Sequence, residues 1–264
     1  MIEYVGDFMM DDGVLKRYIG VGGDVVLPDC VREIGESAFI ACADICSAVL
    51  PEGLEIIRHD AFSWRTGLLS VTLPKSLRII EEAAFEGCSN LQKVEIPAGV
   101  EQIQIAAFYG CHQLKTIEIP KGIREYDDIL EPGSLTAIVA PEIPLAEITE
   151  PYKINAAHGF AYLVGENRAM SESYRAEYMD YIRQEIKALC RRALNSMPLL
   201  QFLMNEELIE AETLKEMLQQ AIDSKNFELT AGLLDYQGKI MNSDKLREQI
   251  SREEKQVSDE LWDF

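Results

Sequence analysis

Residues 69–91 read LSVTLPKSLRIIEEAAFEGCSNL, and residues 92–114 read QKVEIPAGVEQIQIAAFYGCHQL. Both stretches place a proline at the sixth position, Ala-Ala-Phe at the fifteenth to seventeenth positions, and Gly-Cys at the nineteenth and twentieth. Self-similarity at a fixed interval is the sequence signature of a repeat protein. We interpret the two stretches as consecutive coils of a solenoid with a 23-residue interval.

The same interval holds from about residue 25 to residue 141. Prolines recur at this interval, at Pro28, Pro51, Pro74, Pro97 and Pro120. Phenylalanines keep the spacing, each directly after an alanine, at Phe39, Phe62, Phe85 and Phe108. Isoleucines follow the first four prolines by six residues, at Ile34, Ile57, Ile80 and Ile103. Several columns in one register are very unlikely by chance, and they predict five or six stacked coils.

Each unit predicts a short strand followed by a return path. Val71 and Leu73 alternate with small polar residues, as in a strand with one buried face, and Pro74 ends that strand. A single coil cannot bury its apolar side chains alone, so neighbouring coils must stack into one continuous core. We expect right-handed coils with parallel strands near 46–50, 69–73, 92–96, 115–119 and 136–139, in one sheet. Phe85 should lie between Phe62 and Phe108.

Two departures from the repeat are visible. Arg65 replaces the cysteine of the Gly-Cys turn in the unit before residue 69. After Pro120 the pattern decays: Tyr126 stands where isoleucine is expected, Glu131 stands where phenylalanine is expected, and Pro132-Gly133 interrupts the coil. A last strand at 135–139 comes two residues early, and we interpret this unit as the terminal, capping repeat. The prolines at 141, 144 and 151 then indicate a domain junction.

The units S-V-T-L-P…A-A-F-E-G-C-S-N-L and K-V-E-I-P…A-A-F-Y-G-C-H-Q-L resemble those of the BspA-like leucine-rich-repeat family. The opening stretch 8–28 is similar to the segment that leads into the first coil of such proteins. The resemblance covers about the first half of the chain. It implies a bacterial protein with a leucine-rich-repeat solenoid, and a role in adhesion or protein interaction.

The second half of the chain has helical periodicity. Its apolar residues from Tyr174 to Ala193 recur at intervals of three and four, and residues 189–196 resemble residues 217–224. Each of these two segments precedes a second helix, which predicts helical hairpins similar to degenerate ankyrin-type units. Residues 244–264 suggest a final charged helix that packs back or joins a partner. Its apolar face holds Leu246, Ile250, Val257 and Leu261.

The predicted fold class is therefore an α/β repeat solenoid, with a parallel sheet on its concave face, plus an all-α C-terminal domain of helical hairpins. The predicted domains are 1–144, which includes an N-terminal cap at 1–27, and 145–264.

Composition excludes several classes of partner. The chain has 45 acidic and 25 basic residues, so nucleic acid and anionic membrane surfaces are unlikely partners. No apolar run approaches the ~18 residues of a membrane span. The acidic start, Met1-Ile2-Glu3-Tyr4-Val5-Gly6-Asp7, lacks the features of a secretory signal. We expect a cytoplasmic protein, with the cell surface as the alternative if an export signal has been removed.

The sequence predicts no catalytic site, cofactor or metal. Three of the six cysteines, Cys42, Cys88 and Cys111, share one repeat position, which indicates inward packing, and we expect all six to be buried free thiols. No nucleophile, zinc or phosphate-loop motif occurs, and His59 and His112 are expected at the surface.

The repeat geometry predicts a recognition surface. Strand residues on either side of the buried Val or Ile must face outward together, and these are Ser70, Thr72, Lys93, Glu95, Thr116 and Glu118. An equally simple interpretation is that they are ordinary solvated residues. Trp64, Tyr109 and His112 follow the Phe column and could form an aromatic patch that stacks on a sugar or peptide. Incidental exposure is the alternative.

We therefore predict a non-enzymatic module that binds a protein partner on the concave face. One alternative is a cell-surface adhesin that binds host protein or glycan. A second is an enzyme with a site at the domain junction, near residues 120–160.

Overall fold

The computed structural model describes residues 2–121, 123, 128–131, 134, 136–141 and 143–241. The chain divides into two compact units, Met1–Ile182 and Arg183–Phe264. The predicted domain boundary at residue 144 stays a prediction, since the repeat strands end before it and compactness divides the chain later. The two units are described separately.

The first unit begins with an antiparallel meander. Its strands are β1 (Ile2–Val5), β2 (Phe8–Asp11) and β3 (Val14–Tyr18). Strand β3 then pairs in parallel with β5 (Glu33–Ile34), so the meander joins the edge of the repeat array. This is the region predicted as an N-terminal cap, and it saturates the backbone of the first coil on that side.

The predicted parallel strands are present in two ladders, which we together call the main sheet. Its larger ladder contains β4 (Gly23–Val26), β6 (Ile45–Val49), β8 (Ser70–Thr72) and β10 (Lys93–Val94). A smaller ladder pairs β12 (Thr116–Glu118) with β13 (Ala137–Val139). Ser47, Ser70 and Lys93 are register partners at the repeat interval. The prediction of one continuous sheet is wrong, because β10 has two residues and no ladder joins it to β12 in the described chain.

Another ladder lies on the flank of the solenoid and was not predicted. It consists of β5, β7 (Ile56–Ile57), β9 (Ile79–Ile80) and β11 (Gln102–Ile103). These two-residue strands contain the isoleucines that follow each proline by six residues. Their side chains were predicted as core, and they are buried. The backbone pairing was missed because two residues are too few to show alternation.

The phenylalanine column is confirmed as the core of the solenoid. Phe85 is fully buried, and its ring lies 5.1 Å from that of Phe62 and 5.3 Å from that of Phe108, nearly parallel to both. Phe39 continues the stack, and Tyr18 of the N-terminal meander caps it at 5.4 Å. Ring centroids at these separations are in the range of favourable aromatic pairs.

The column ends differently from the sequence prediction. The amide of Phe85 donates to the carbonyl of Ala107, and the repeat interval would have the amide of Phe108 donate to that of Leu130. It donates to the carbonyl of Ile129 instead. The coil is thus one residue shorter here, which moves buried Leu130, rather than Glu131, into the phenylalanine position. Tyr126 and Pro132-Gly133, the other predicted departures, lie outside the described residues.

The final strand does come two residues early, as predicted. Thr116 pairs with Ala137 and Glu118 with Val139, whereas the repeat interval would have paired Thr116 with Val139. Residue 135, where this strand was expected to begin, is not among the described residues.

Arg65, which replaces the turn cysteine, donates a hydrogen bond to the same backbone carbonyl position as the cysteines do in other coils. Its Nη1 donates to the carbonyl of Phe39, in the preceding coil, at 3.1 Å. The cysteine thiols of the next two coils donate to the equivalent carbonyls, at 3.1 Å from Cys88 to Phe62 and 3.2 Å from Cys111 to Phe85. Each position therefore satisfies one buried carbonyl of the coil behind it.

Three cysteines point inward as predicted. Burial raises the pKa of Cys88 to about 12 and raises that of Cys111 further, so both thiols stay protonated at neutral pH and are poor nucleophiles. Cys42 and Cys190 are also buried. The prediction that all six are buried is wrong for Cys30 and Cys46, which are exposed.

Two helices complete the first unit. A 3-10 turn, Leu145–Glu147, leads into α1 (Glu150–Gly165), which packs on β13, and α2 (Glu172–Gln184) follows. Tyr174 and Tyr178 of α2 donate hydroxyl hydrogen bonds to the carbonyls of Ala140 and Ile143. These bonds attach α2 to the segment that leaves the last repeat strand.

The second unit consists of helix pairs, as predicted. They are α3 (Ile186–Ala193) with α4 (Met197–Asn205), and α5 (Ala211–Asp223) with α6, which is helical over residues 227–241. Ala193 and Ala221 are buried at equivalent points. Ser196 and Asn226 cap the second helix of each pair by accepting an amide hydrogen bond three residues later. The likeness to ankyrin units stays a prediction, and residues 244–264 lie outside the described chain.

We predict that replacing Phe85 with Ala lowers the free energy of unfolding by ~3–5 kcal/mol, because it opens a cavity in a continuous ring stack. Urea denaturation of the full chain measures this loss. Phe85→Leu retains most of the volume and should lose less than ~1.5 kcal/mol. A loss under ~1 kcal/mol for the alanine variant would contradict the role of this column as core.

We also predict that Gly159→Ala is strongly destabilising. A Cβ at Gly159 would overlap the carbonyl oxygen of Ile138, which is backbone and cannot move aside as a side chain can. Thermal or urea unfolding should show a loss of at least ~2 kcal/mol. Gly165 of the same helix is the matched control, because a Cβ there meets no atom within 4 Å. Gly165→Ala should leave stability equal or slightly higher.

Candidate recognition surface

The six predicted residues lie on or directly beside the outward face of the main sheet. Strand alternation explains this, since Val71, Val94 and Ile117 point inward and are buried. Of the predicted set, five are exposed, namely Ser70, Thr72, Lys93, Glu95 and Glu118, and Thr116 is half-buried. We call this set the sheet surface.

The structure brings four of these six residues together. Ser70, Thr72, Lys93 and Glu95 line one shallow cavity of about 250 Å³ on the outer side of β8 and β10. Lys93 Nζ lies 2.5 Å from Glu95 Oε1, and both side chains are about three-quarters exposed. An ion pair this exposed contributes little to folding stability. Either side chain can therefore leave this ion pair and bind a charged group of a partner with little loss of folding stability.

The other two residues belong to a separate group. Thr116 and Glu118 lie on β12, in the ladder that does not join β10. Glu118 Oε1 accepts a hydrogen bond of 2.9 Å from Arg168, which follows α1, and this contact raises the pKa of the Arg168 guanidinium. This contact joins residues 50 positions apart, and no pattern in the sequence predicted it. Glu118 is thus partly engaged within its own unit.

Four further residues continue the sheet surface toward the N-terminus. The repeat register places Asp24 and Val26 on β4, and Ser47 and Val49 on β6, in the same outward columns. Ser47 Oγ donates to Asp24 Oδ1 at 2.6 Å, and the side chain of Val26 is 67% exposed. The surface therefore changes from aliphatic at β4 to ion-paired at β10. Extending the columns back by one interval would have found Ser47 and Val49, and by two intervals Asp24 and Val26.

The predicted aromatic patch lies on another side of the coils. Trp64 is 63% exposed, and a Cβ on Gly87 of the next coil would lie 2.7 Å from the fused ring atoms of its indole. The amide of Gly87 in turn donates to the carbonyl of Tyr109 at 2.8 Å, and the Tyr109 side chain is exposed. Trp64 and Tyr109 thus flank one glycine. His112, the third predicted member, faces Glu131 at 3.6 Å.

Trp64 also adopts an unfavourable backbone conformation. Its φ is 59°, and the equivalent positions of the next two coils are Gly87 and Gly110, with φ of 67° and 72°. The left-handed conformation costs a residue with a Cβ ~1–2 kcal/mol, which a glycine avoids. An exposed tryptophan that bears this cost is a candidate for a role other than folding.

Among the described residues, a second cavity has no arrangement typical of catalysis. A cavity of about 530 Å³ beside the start of α2 is lined by one titratable carboxylate, Glu177, and by the phenol of Tyr174. Glu177 accepts the amide hydrogen bond of Ala146 at 2.9 Å. Within the described ranges, no cluster of three or more His, Cys, Asp or Glu side chains could hold a metal ion. Part of the junction near residues 120–160 lies outside the described residues, so the junction enzyme stays a prediction.

The buried Asn155 of α1 has a structural role. Asn155 Nδ2 donates to the carbonyls of Ser134 and Thr136 at 2.9 and 2.7 Å, which ties the helix to the segment before β13. His158 is buried beside Tyr162. The described helices include none that is both long and apolar enough to cross a membrane.

Comparisons with known proteins find similar sequences for the repeat region. A family model for the BspA type leucine rich repeat region matches residues 23–130 in six copies. A leucine-rich-repeat protein of T. pallidum is 28% identical, with 47% of this chain and 60% of that chain covered and a TM-score of 0.42. A leucine-rich cell surface protein of Faecalibacterium prausnitzii is 23% identical, with 55% and 41% covered and a TM-score of 0.48.

The pneumococcal vaccine antigen PcpA is also similar, at 23% identity, with 55% of this chain and 39% of that chain covered and a TM-score of 0.46. The chain spans less than two thirds of the length of each of these three proteins. No curated protein matches the sequence. The repeats found by spacing, their parallel ladders and the family match all describe the same residues. Residues 23–130 of this chain therefore match the BspA type leucine rich repeat family.

Proposed function

We propose that the protein is a non-enzymatic interaction module that binds a protein partner on the sheet surface. The observation that carries this proposal is the convergence of Ser70, Thr72, Lys93 and Glu95 around one exposed cavity. Two hydroxyl groups and two opposite charges lie within one small area, on strands held rigidly by the core beneath them. Such a surface can form hydrogen bonds and ion pairs with little rearrangement, which favours binding.

The chemistry of this cavity supports binding rather than catalysis. Its titratable side chains are Lys93 and Glu95, which neutralise each other at 2.5 Å and are exposed to water. No histidine or cysteine lines it. General acid–base catalysis needs a group held in surroundings that exclude water, and both of these side chains are about three-quarters exposed. A cytoplasmic location stays a prediction, with the cell surface as its alternative.

A second candidate function is contact with a glycan or peptide at Trp64 and Tyr109. The strained backbone of Trp64 favours it, because the fold would be served as well by the glycine of the neighbouring coils. The indole contacts Gly87 and still leaves most of its surface to solvent. An aromatic surface of this kind can stack on a sugar or a proline ring. This candidate corresponds to the adhesin alternative.

We predict that the double reversal Lys93→Glu with Glu95→Lys reduces partner capture at least ~10-fold, because like charges juxtaposed in an interface cost several kcal/mol. Pull-down from bacterial lysate with the full chain as bait measures capture by quantitative mass spectrometry. The melting temperature should change by less than ~2 °C, since both residues are exposed and paired only with each other.

The matched control is Lys215→Glu with Glu216→Lys on α5, where both residues are also exposed. This control should capture the partner normally. If the control loses capture and the variant of the sheet surface retains it, the helical unit is the recognition element and the proposal is wrong.

For the second candidate, Trp64→Gly is the informative change. It removes both the indole and the left-handed strain, so we expect unfolding stability within ~1 kcal/mol of the parent chain. Binding to a glycan array or a proline-rich peptide array should disappear. A parent chain that binds neither array, or a glycine variant that binds equally, would exclude this candidate.

A further inference from the structure

Helix α6 of the second unit has apolar side chains on two opposite faces. Leu229, Leu233 and Tyr236 occupy one face and are buried against the rest of the unit. A helix at the surface of a globular unit usually needs only one such face. The second face is therefore not explained by the packing of the unit itself.

The second face forms a continuous exposed seam. Phe227 is 83% exposed, Leu234 52% and Met241 55%, and Ala231 and Gly238 lie exposed between them. The five positions are separated by four, three, four and three residues. This alternation is the seam of a coiled coil, and it fits one specific type of surface, another α-helix. We call these five residues the α6 seam.

The sizes of the side chains along the seam define which side chains a partner helix needs in order to pack there. Large residues alternate with small ones, and a Cβ added at Gly238 would meet no atom within 4 Å. The small positions, Ala231 and Gly238, are therefore open spaces in which a partner helix can place large apolar side chains. A helix with leucine or isoleucine at its own seam positions would fill them.

The charged residues beside the seam define which charges the partner helix needs along its own border. Glu228 and Asp235 lie along one side of the seam, and residues 206–241 contain eight acidic and three basic side chains. Asp235 pairs with Lys239 at 2.7 Å, which leaves the border acidic at Glu228. Complementary potentials favour a partner with lysine or arginine on the facing border.

A second copy of the chain fits the seam poorly. In a parallel pair the small residues would face each other and leave the spaces at Ala231 and Gly238 empty. In an antiparallel pair the acidic borders, with Glu228 and Asp235, would face each other.

We propose that the α6 seam is a docking site for an amphipathic helix of a partner protein, with large aliphatic residues along its seam and basic residues along its border. The site is separate from the sheet surface, and neither proposal depends on the other.

A synthetic peptide of three heptads tests the proposal. It carries isoleucine and leucine at the seam positions, lysine at both border positions and alanine elsewhere, so that its like charges oppose self-association. Fluorescence anisotropy with the full chain should show saturable binding. Leu234→Glu should weaken binding by about ten- to a hundred-fold, since it removes a buried leucine contact and introduces a charge into the seam.

Two controls separate seam binding from general attraction to an acidic protein. Ile222→Glu on α5 introduces the same charge at a side chain that is 54% exposed, as Leu234 is 52% exposed, but lies outside the seam. It should bind the peptide within about two-fold of the parent chain. A second peptide with glutamate in place of lysine should bind at least ~10-fold more weakly.

Four results would overturn the proposal. The parent chain fails to bind the lysine peptide, or Ile222→Glu weakens binding as much as Leu234→Glu does. Sedimentation shows that the parent chain self-associates and that Leu234→Glu abolishes this, which assigns the seam to a second copy. Binding occurs only after removal of residues 242–264, which assigns the seam to the chain's own C-terminus.

Discussion

Each coil of the solenoid buries its apolar side chains only against the coils on either side of it. The ring stack through Phe39, Phe62, Phe85 and Phe108 is the physical form of this constraint, with adjacent centroids 4.4 to 5.3 Å apart. The rings can stack from one coil to the next because their separation matches the ~4.7–4.9 Å between hydrogen-bonded strands. The ladders of the main sheet and of the flank then follow, since both saturate backbone groups between the same pairs of coils.

This constraint makes the two ends of the stack special. At the N-terminal end Tyr18 covers Phe39, and strand β3 pairs with β5, so both the ring stack and the flank ladder are closed by the meander. At the other end Leu130 replaces the next ring, and α1 lies on β13 at a distance that only Gly159 permits. A stack of identical coils would expose its last ring to water, and the departures from the repeat occur where that exposure must be prevented.

Because the core lies within the stack, the outward-facing residues contribute little to folding stability. The exposed ion pair of Lys93 with Glu95 and the strained, exposed Trp64 contribute little or unfavourably to stability. The α6 seam has the same character in the second unit, where α6 already buries one face through Leu229 and Leu233. All three surfaces are exposed and contribute little to the stability of their own unit, which is the physical basis for proposing binding functions.

The sequence by itself determined the repeat interval, the ring column, the main strands and the outward direction of Ser70, Thr72, Lys93 and Glu95. These features depend on periodicity, and the same local chemistry recurs in each coil with the same result. Only the tertiary structure decided what depends on contacts between distant residues. The flank ladder, the break between β10 and β12, the hydrogen bond from Arg168 to Glu118 and the replacement of Glu131 by Leu130 in the column are of this kind. A single deleted residue leaves no periodic signal, and neither does a pair of charges far apart in the chain. Both become visible only when the coils are stacked and their backbone and side-chain groups form hydrogen bonds.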